Sequence, residues 1–171
     1  HSTPGCGFPL MRIVGLFSLA TGALLDLATG PMSQSEGALF RSLWHLFRSG
    51  DVLLADRGFC SLAYLYLLSK RGVDCVMRKN ARRINDHVIR RISKHDRIIA
   101  WRKSGICPAW LDREMWETIP EIVTVREVRV QVLHPGFRTQ SVYVVTTLLD
   151  ENLYSADAIA LLYLRRWRVE V

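Results

Sequence analysis

The sequence predicts an α/β fold, a sheet flanked by helices, and three observations support this class. A strand, a helix and a second strand follow one another across residues 52–77 as a β-α-β unit. Short alternating strands occupy much of residues 81–139, and a strand over 141–148 precedes a final helix that begins at Ser155. With 171 residues, of which 49% are hydrophobic, the chain can bury a globular core, which excludes intrinsic disorder.

The first 50 residues predict a hairpin and a helix. Apolar runs at 10–17 and 23–28 flank a turn and are typical of two mostly buried antiparallel strands. The helix pattern that follows is predicted to begin with a capping box formed by Ser33 and Glu36 and to end at Gly50.

The β-α-β unit draws attention to Asp56. The run Val52–Ala55 is apolar throughout, as in a strand covered on both faces. A helix over 61–71 closes at Gly72, and the second strand covers 75–77. Because open α/β sheets build their sites at the carboxyl ends of parallel strands, Asp56 is a candidate site residue.

The change of texture after residue 80 predicts three segments. Residues 1–80 form the first part of the core, 81–139 form a β-strand-rich insertion, and 140–171 form the last core strand and the final helix. The tryptophans of the insertion are either anchors of a small core or platforms on which an unpaired base stacks.

A polar stripe on the final helix is a second candidate. At 100° per residue, Tyr163, Arg166 and Glu170 fall together beside an apolar stripe made of Ala160, Leu164, Trp167 and Val171. The stripe is either part of a site beside the sheet, with a carboxylate for a metal and a cation for phosphate oxygens, or a surface ion pair between Arg166 and Glu170. Periodicity alone leaves both interpretations open.

Positive charge is concentrated in one block. Between Lys70 and Lys103 there are twelve basic and three acidic residues, whereas the net charge of the whole chain is +7. Such a block suits a polyanion, and its richness in arginine favours nucleic acid over a merely solvated basic face.

Other classes of protein are disfavoured. The apolar runs are shorter than a membrane span, and no basic stretch followed by an apolar block and a cleavage site opens residues 1–171, so we expect a cytoplasmic protein. The four cysteines lack the spacing of a zinc site or a disulfide framework. The lack of an initiator Met and of a stop after the final helix indicates an internal part of a longer protein.

Several motifs together carry a family resemblance. Asp56-Arg57-Gly58-Phe59 follows an apolar strand, and Tyr163, Arg166 and Glu170 have the spacing Y-x-x-R-x-x-x-E. Further similar stretches lie at 5–9, 125–127, 135–138, 146–150 and 162–167. The chain therefore resembles the DDE transposases of the insertion-sequence-four group over essentially its whole length, which implies a ribonuclease-H-like fold interrupted by a β-strand insertion.

The resemblance implies metal-dependent phosphoryl transfer on DNA. Asp56 and Glu170 correspond to the second and third catalytic carboxylates, which would hold two Mg²⁺ or Mn²⁺ ions, and Tyr163 and Arg166 would hold the DNA backbone. The implied partners are transposon ends and target DNA, bound by a homodimer at the bacterial nucleoid. Further DNA contacts are predicted for five basic residues, Arg57, Arg78, Lys79, Arg82 and Arg83.

Two departures from the family pattern limit this expectation. In the family, the first catalytic aspartate precedes the glycine-rich segment; Asp26 follows that segment and is therefore a poor match. The family's final lysine would lie beyond Val171. We therefore expect these residues alone to be inactive. The alternatives are a non-catalytic DNA-binding remnant of a decayed element and another ribonuclease-H-like nuclease, although the latter would lack the Tyr and Arg of the final helix.

Overall fold

The computed structural model describes residues 10–80, 86–132 and 140–166. The chain divides into two compact units, His1–Phe47 and Arg48–Val171.

The first unit contains the predicted hairpin. Strand β1 (Met11–Phe17) pairs antiparallel with β2 (Leu24–Pro31), and Gly22, with φ of +72°, takes the left-handed turn conformation that glycine adopts without strain. The prediction of mostly buried strands is wrong, since Met11 and Ile13 are 59% and 60% exposed. A two-stranded ribbon has two faces, and the short helix that follows it covers only part of them.

That helix, α1 (Glu36–Ser42), is shorter than the sequence predicts. Its cap is Ser35, whose Oγ accepts a hydrogen bond from the amide of Ala38, so the capping box of Ser33 and Glu36 does not form. The chain then tightens into a 3₁₀ turn at Trp44–Leu46.

The second unit is built on a six-stranded mixed sheet in the order β3-β4-β8-β7-β6-β5. Strands β3 and β4 are parallel, as a β-α-β unit requires, and every other neighbouring pair is antiparallel. The strands are β3 (Val52–Ala55), β4 (Asp74–Arg78), β5 (His87–Ser93), β6 (Asp96–Arg102), β7 (Ile122–Val132) and β8 (Gln140–Thr146).

Helices flank this sheet, and each begins at a side-chain cap. They are α2 (Leu62–Lys70), α3 (Arg113–Thr118) and α4 (Ala156–Leu164), capped by Ser61, Asp112 and Ser155 respectively. No helix in the described ranges is long and apolar enough to cross a membrane. The predicted mixed α/β class is confirmed, and the arrangement is consistent with a ribonuclease-H-like fold.

The strands after residue 80 extend the same sheet. Strand β7 pairs with β8 from Arg126 opposite Thr146 to Val132 opposite Gln140, and β6 and β5 add to its other edge. The division of the chain into core and insertion stays a prediction.

Helix α4 packs on one face of the sheet through Ile159 and Tyr163, which are 1% and 0% exposed. They contact valines from three neighbouring strands, namely Val76, Val128, Val130, Val142 and Val144. Tyr163 therefore lies on the buried face of α4, whereas the helical periodicity predicted it in a polar stripe at the border of that face. Trp101 and Trp116, which lie in the predicted insertion, are also buried, as core anchors are.

Candidate active site

The candidate site lies where β3 and β4 end. Because Ala55 pairs with Met77 in the parallel register, Asp56 and Arg78 follow at the same edge of the sheet. Alternation along a strand places Asp56 on the face of Leu54, and Arg78 on the face of Val76. Leu54 and Val76 pack into the cluster beneath α4. Asp56 and Arg78 therefore lie on the face of the sheet that α4 covers.

Tyr163 of α4 lies close to Asp56 and Arg78 at this edge. Burial raises the pKa of its phenol, the carboxylate of Asp56 raises it further, and the cations of Arg166 and Arg78 oppose the rise. The guanidinium carbon of Arg166 lies 5.7 Å from the centroid of the Tyr163 ring. The structure thus brings together four predicted residues: Asp56 after β3, Arg78 in β4, Tyr163 in α4 and Arg166 just after it. The phenol stays protonated at neutral pH and can donate a hydrogen bond.

Asp56 carries a buried oxygen with no donor. Within the described residues, its Oδ1 is buried and has no hydrogen-bond partner, and its side chain does not cap the short turn at Arg57–Phe59. Leaving a buried carboxylate oxygen unpaired is costly unless a cation satisfies it. Oxygen ligands are those that Mg²⁺ prefers, so this carboxylate suits a divalent ion.

The rest of a metal site is not visible in the part of the chain that the structure describes. No group of three or more His, Cys, Asp or Glu side chains that could hold a metal ion occurs in that part. Glu170, the other predicted carboxylate, lies outside the described residues, as do Arg82 and Arg83. The described residues therefore contribute one candidate ligand, Asp56.

The remaining predicted DNA contacts differ in their surroundings. Arg57 is exposed, directly beside Asp56. The ammonium of Lys79 lies 2.5 Å from Oε2 of the buried Glu127 and also contacts Asp86. Lys79 thus carries a charge that two carboxylates already share, whereas Arg57 presents its charge to solvent.

Sequence reasoning missed how much of the basic block is engaged in contacts within the chain, both buried and at the surface. Arg97 pairs with Glu127, Arg90 binds Glu151 through two nitrogens, and Lys103 donates to two backbone carbonyls. One feature of the sequence could have indicated this internal pairing. Two adjacent charged residues, Arg126 and Glu127, interrupt a valine-rich strand, and such residues are buried in a sheet only when they are paired.

Comparisons with known proteins identify the family of the chain. The family model described as "Transposase DDE domain" matches residues 1–171, and the chain belongs to this family. Part of the chain is also similar to a protein of Escherichia coli (strain K12) named "Putative transposase InsZ". The two are 34% identical over 65 residues, which is 38% of this chain and 22% of the relative. The match thus spans about a fifth of the curated relative's length.

Proposed function

We propose that this chain is part of the catalytic domain of a DNA transposase, which cleaves and transfers DNA strands at transposon ends. The observation that carries the proposal is the buried, donor-free oxygen of Asp56 at the end of β3, beside Tyr163 and two arginines. Membership of the transposase DDE domain family supports the same reaction class.

Asp56 and Glu170 are proposed to hold the divalent metal, Mg²⁺ or Mn²⁺, with two ions in the intact site. When bound, such ions activate the attacking oxygen and stabilise the charge on the leaving oxygen of the phosphate. The family resemblance implies three carboxylates, of which residues 1–171 match two. We therefore expect no strand cleavage from these residues alone.

The other residues of the edge are proposed to hold the scissile phosphate. The protonated phenol of Tyr163 donates to a phosphate oxygen, and burial keeps its proton in place. The guanidinium groups of Arg78 and Arg166 match the geometry of a phosphate and oppose its charge. Holding the phosphate in line with the attacking oxygen is itself a large part of catalysis in phosphoryl transfer.

DNA outside the reaction centre is proposed to lie along the basic surface. Arg57 is the exposed contact next to the site, and Arg82 and Arg83 are proposed further contacts. Lys79 is expected to contribute less to binding, because Glu127 and Asp86 already balance its charge. The proposed partners are transposon ends and target DNA, bound by a homodimer in the bacterial cytoplasm.

The test is strand cleavage of a labelled transposon-end duplex by the full-length protein. Asp56→Asn and Glu170→Gln should each abolish cleavage and leave duplex binding largely intact, because only the metal site changes. Asp157→Asn is the matched control, since this exposed aspartate lies in the first turn of α4. Retained cleavage in either site variant would overturn the proposal.

A further inference from the structure

A buried ion pair lies on the same face of the sheet as α4. Arg126 of β7 and Asp96 of β6 are 1% and 2% exposed, and Arg126 Nε and Nη2 donate to the two oxygens of Asp96 at 2.8 and 2.6 Å. Alternation along β7 places Arg126 on the face of Val128 and Val130, which contact α4. The pair is therefore part of the layer between the sheet and α4.

Stability alone does not explain this pair. Taking two charges out of water is costly, and well-packed apolar residues of similar volume often stabilise a fold as well or better. The pair has a feature that apolar residues could not reproduce. The third nitrogen of the fork, Nη1, donates to the backbone carbonyl of Tyr154 at 2.6 Å.

Tyr154 comes directly before the cap of α4. The Oγ of Ser155 accepts a hydrogen bond from the amide of Ala158, and the bond from Arg126 meets the chain one residue before this cap. Apolar packing of Ile159 and Tyr163 fixes which face of α4 is buried, but such packing is non-directional. A directional bond at the start of the helix fixes its position along its axis.

We propose that Arg126, held by Asp96, is a positioning residue that fixes the start of α4 and thereby places Tyr163 and Arg166 against Asp56. This inference rests on the proposed function for its catalytic consequence. A helix transmits a displacement along its length, and an error of about 1 Å in a reacting geometry costs on the order of a hundredfold in rate.

The decisive variant replaces both charges at once, Asp96→Leu with Arg126→Met, in the full-length protein. No buried charge is left unpaired, so folding should be retained while the donor to Tyr154 is lost. Arg126→Lys is the second variant. It keeps a cation beside Asp96 but lacks the fork that reaches three oxygens.

The control is Lys103→Met. It removes a largely buried cation that donates to the backbone carbonyls of Trp116 and Ile119. Neither of those carbonyls belongs to α4 or to the segment before it. This variant should change stability without changing the start of α4.

Two measurements test the role. Amide hydrogen exchange over 156–164 should become about tenfold faster in the double variant, the effect of losing one anchoring hydrogen bond, and should stay unchanged over α2. Strand cleavage at saturating DNA should slow by about ten- to a hundredfold with KM for the duplex unchanged. Arg126→Lys should give a smaller effect in both measurements.

The outcomes are distinguishable from a failure of the proposed function. Unchanged exchange over 156–164, or faster exchange with unchanged cleavage, overturns the positioning role. A rise in KM alone also overturns it, because that would make Arg126 a contributor to DNA binding. If the wild-type protein does not cleave DNA, the proposed function fails, and the exchange measurement alone decides whether Arg126 anchors α4.

Discussion

Tyr163 serves both the core and the proposed site, and two substitutions should separate these roles. Its side chain is fully buried among the valines of β4, β7 and β8. Tyr163→Ala removes the ring from this cluster, and removal of a buried aromatic ring costs about 3–5 kcal/mol. At about 2–4 °C per kcal/mol for a chain of this size, the melting temperature should fall by roughly 6–20 °C.

Tyr163→Phe keeps the ring and removes only the hydroxyl. We expect a change in the free energy of unfolding of about 1 kcal/mol or less, since the apolar contacts remain. Loss of a hydrogen bond to a charged phosphate costs about 1.5–3 kcal/mol, so cleavage by the full-length protein should slow by roughly 10- to 150-fold.

Denaturant unfolding and single-turnover cleavage measure the two effects. The pH dependence of the free energy of unfolding gives an independent check on Tyr163→Phe. Burial raises the pKa of Tyr163 above its ordinary value of 10.0. Above pH 10 the folded state therefore keeps a phenol proton that the unfolded chain releases. Stability of the wild type should therefore fall as pH rises above 10, and less so in the variant. A Phe variant as unstable as the Ala variant, or one that cleaves at the wild-type rate, would refute the reasoning.

Three further predictions concern surface charge and buried groups. Arg57→Gln should lower the slope of log affinity for duplex DNA against log salt by about one, as loss of one phosphate contact does; an unchanged slope would remove Arg57 from the DNA surface. Burial, with help from Asp74, raises the pKa of the Cys75 thiol to about 12, so iodoacetamide at pH 8 should modify Cys107 in the folded protein and spare Cys75 until it unfolds. Hydrogen bonds from Arg90 lower the pKa of Glu151 to about 2, so the pair should persist above the ordinary value of 4.5 and be lost as pH falls towards 2.

The controls for these predictions are direct. Mass spectrometry after alkylation identifies the modified cysteine, and labelling of Cys75 as fast as Cys107 would contradict its burial. Carboxyl titration by NMR follows Glu151, which should titrate near its ordinary value in Arg90→Met. A Glu151 pKa that does not rise in that variant would show that Arg90 is not the cause.

Local patterns predicted the elements that carry the edge of the sheet. The apolar run at 52–55, the helical spacing over 61–71 and the stop at Gly72 each depend on neighbours in sequence, so the β-α-β unit and the place of Asp56 followed from them. The cap Ser155 placed the start of α4 in the same way.

Features that depend on tertiary contacts were not predictable. Helix α3 has six residues, too few for a 3.6-residue period to emerge. The depth of Tyr163 depends on valines from three strands. The basic block is partly neutralised by acids distant in sequence, as with Lys79 and Glu127, so a count of charges overestimated the surface available to DNA.

The most direct test of the central claim, that Asp56 is a metal-binding catalytic carboxylate, is strand cleavage by full-length Asp56→Cys in Mg²⁺ and in Mn²⁺. A thiolate is a poor ligand for the hard Mg²⁺ ion and binds transition metals better. We predict that cleavage is lost in Mg²⁺ and restored in Mn²⁺, while the wild type cleaves in both. Cleavage by Asp56→Cys in Mg²⁺ at the wild-type rate would contradict the claim.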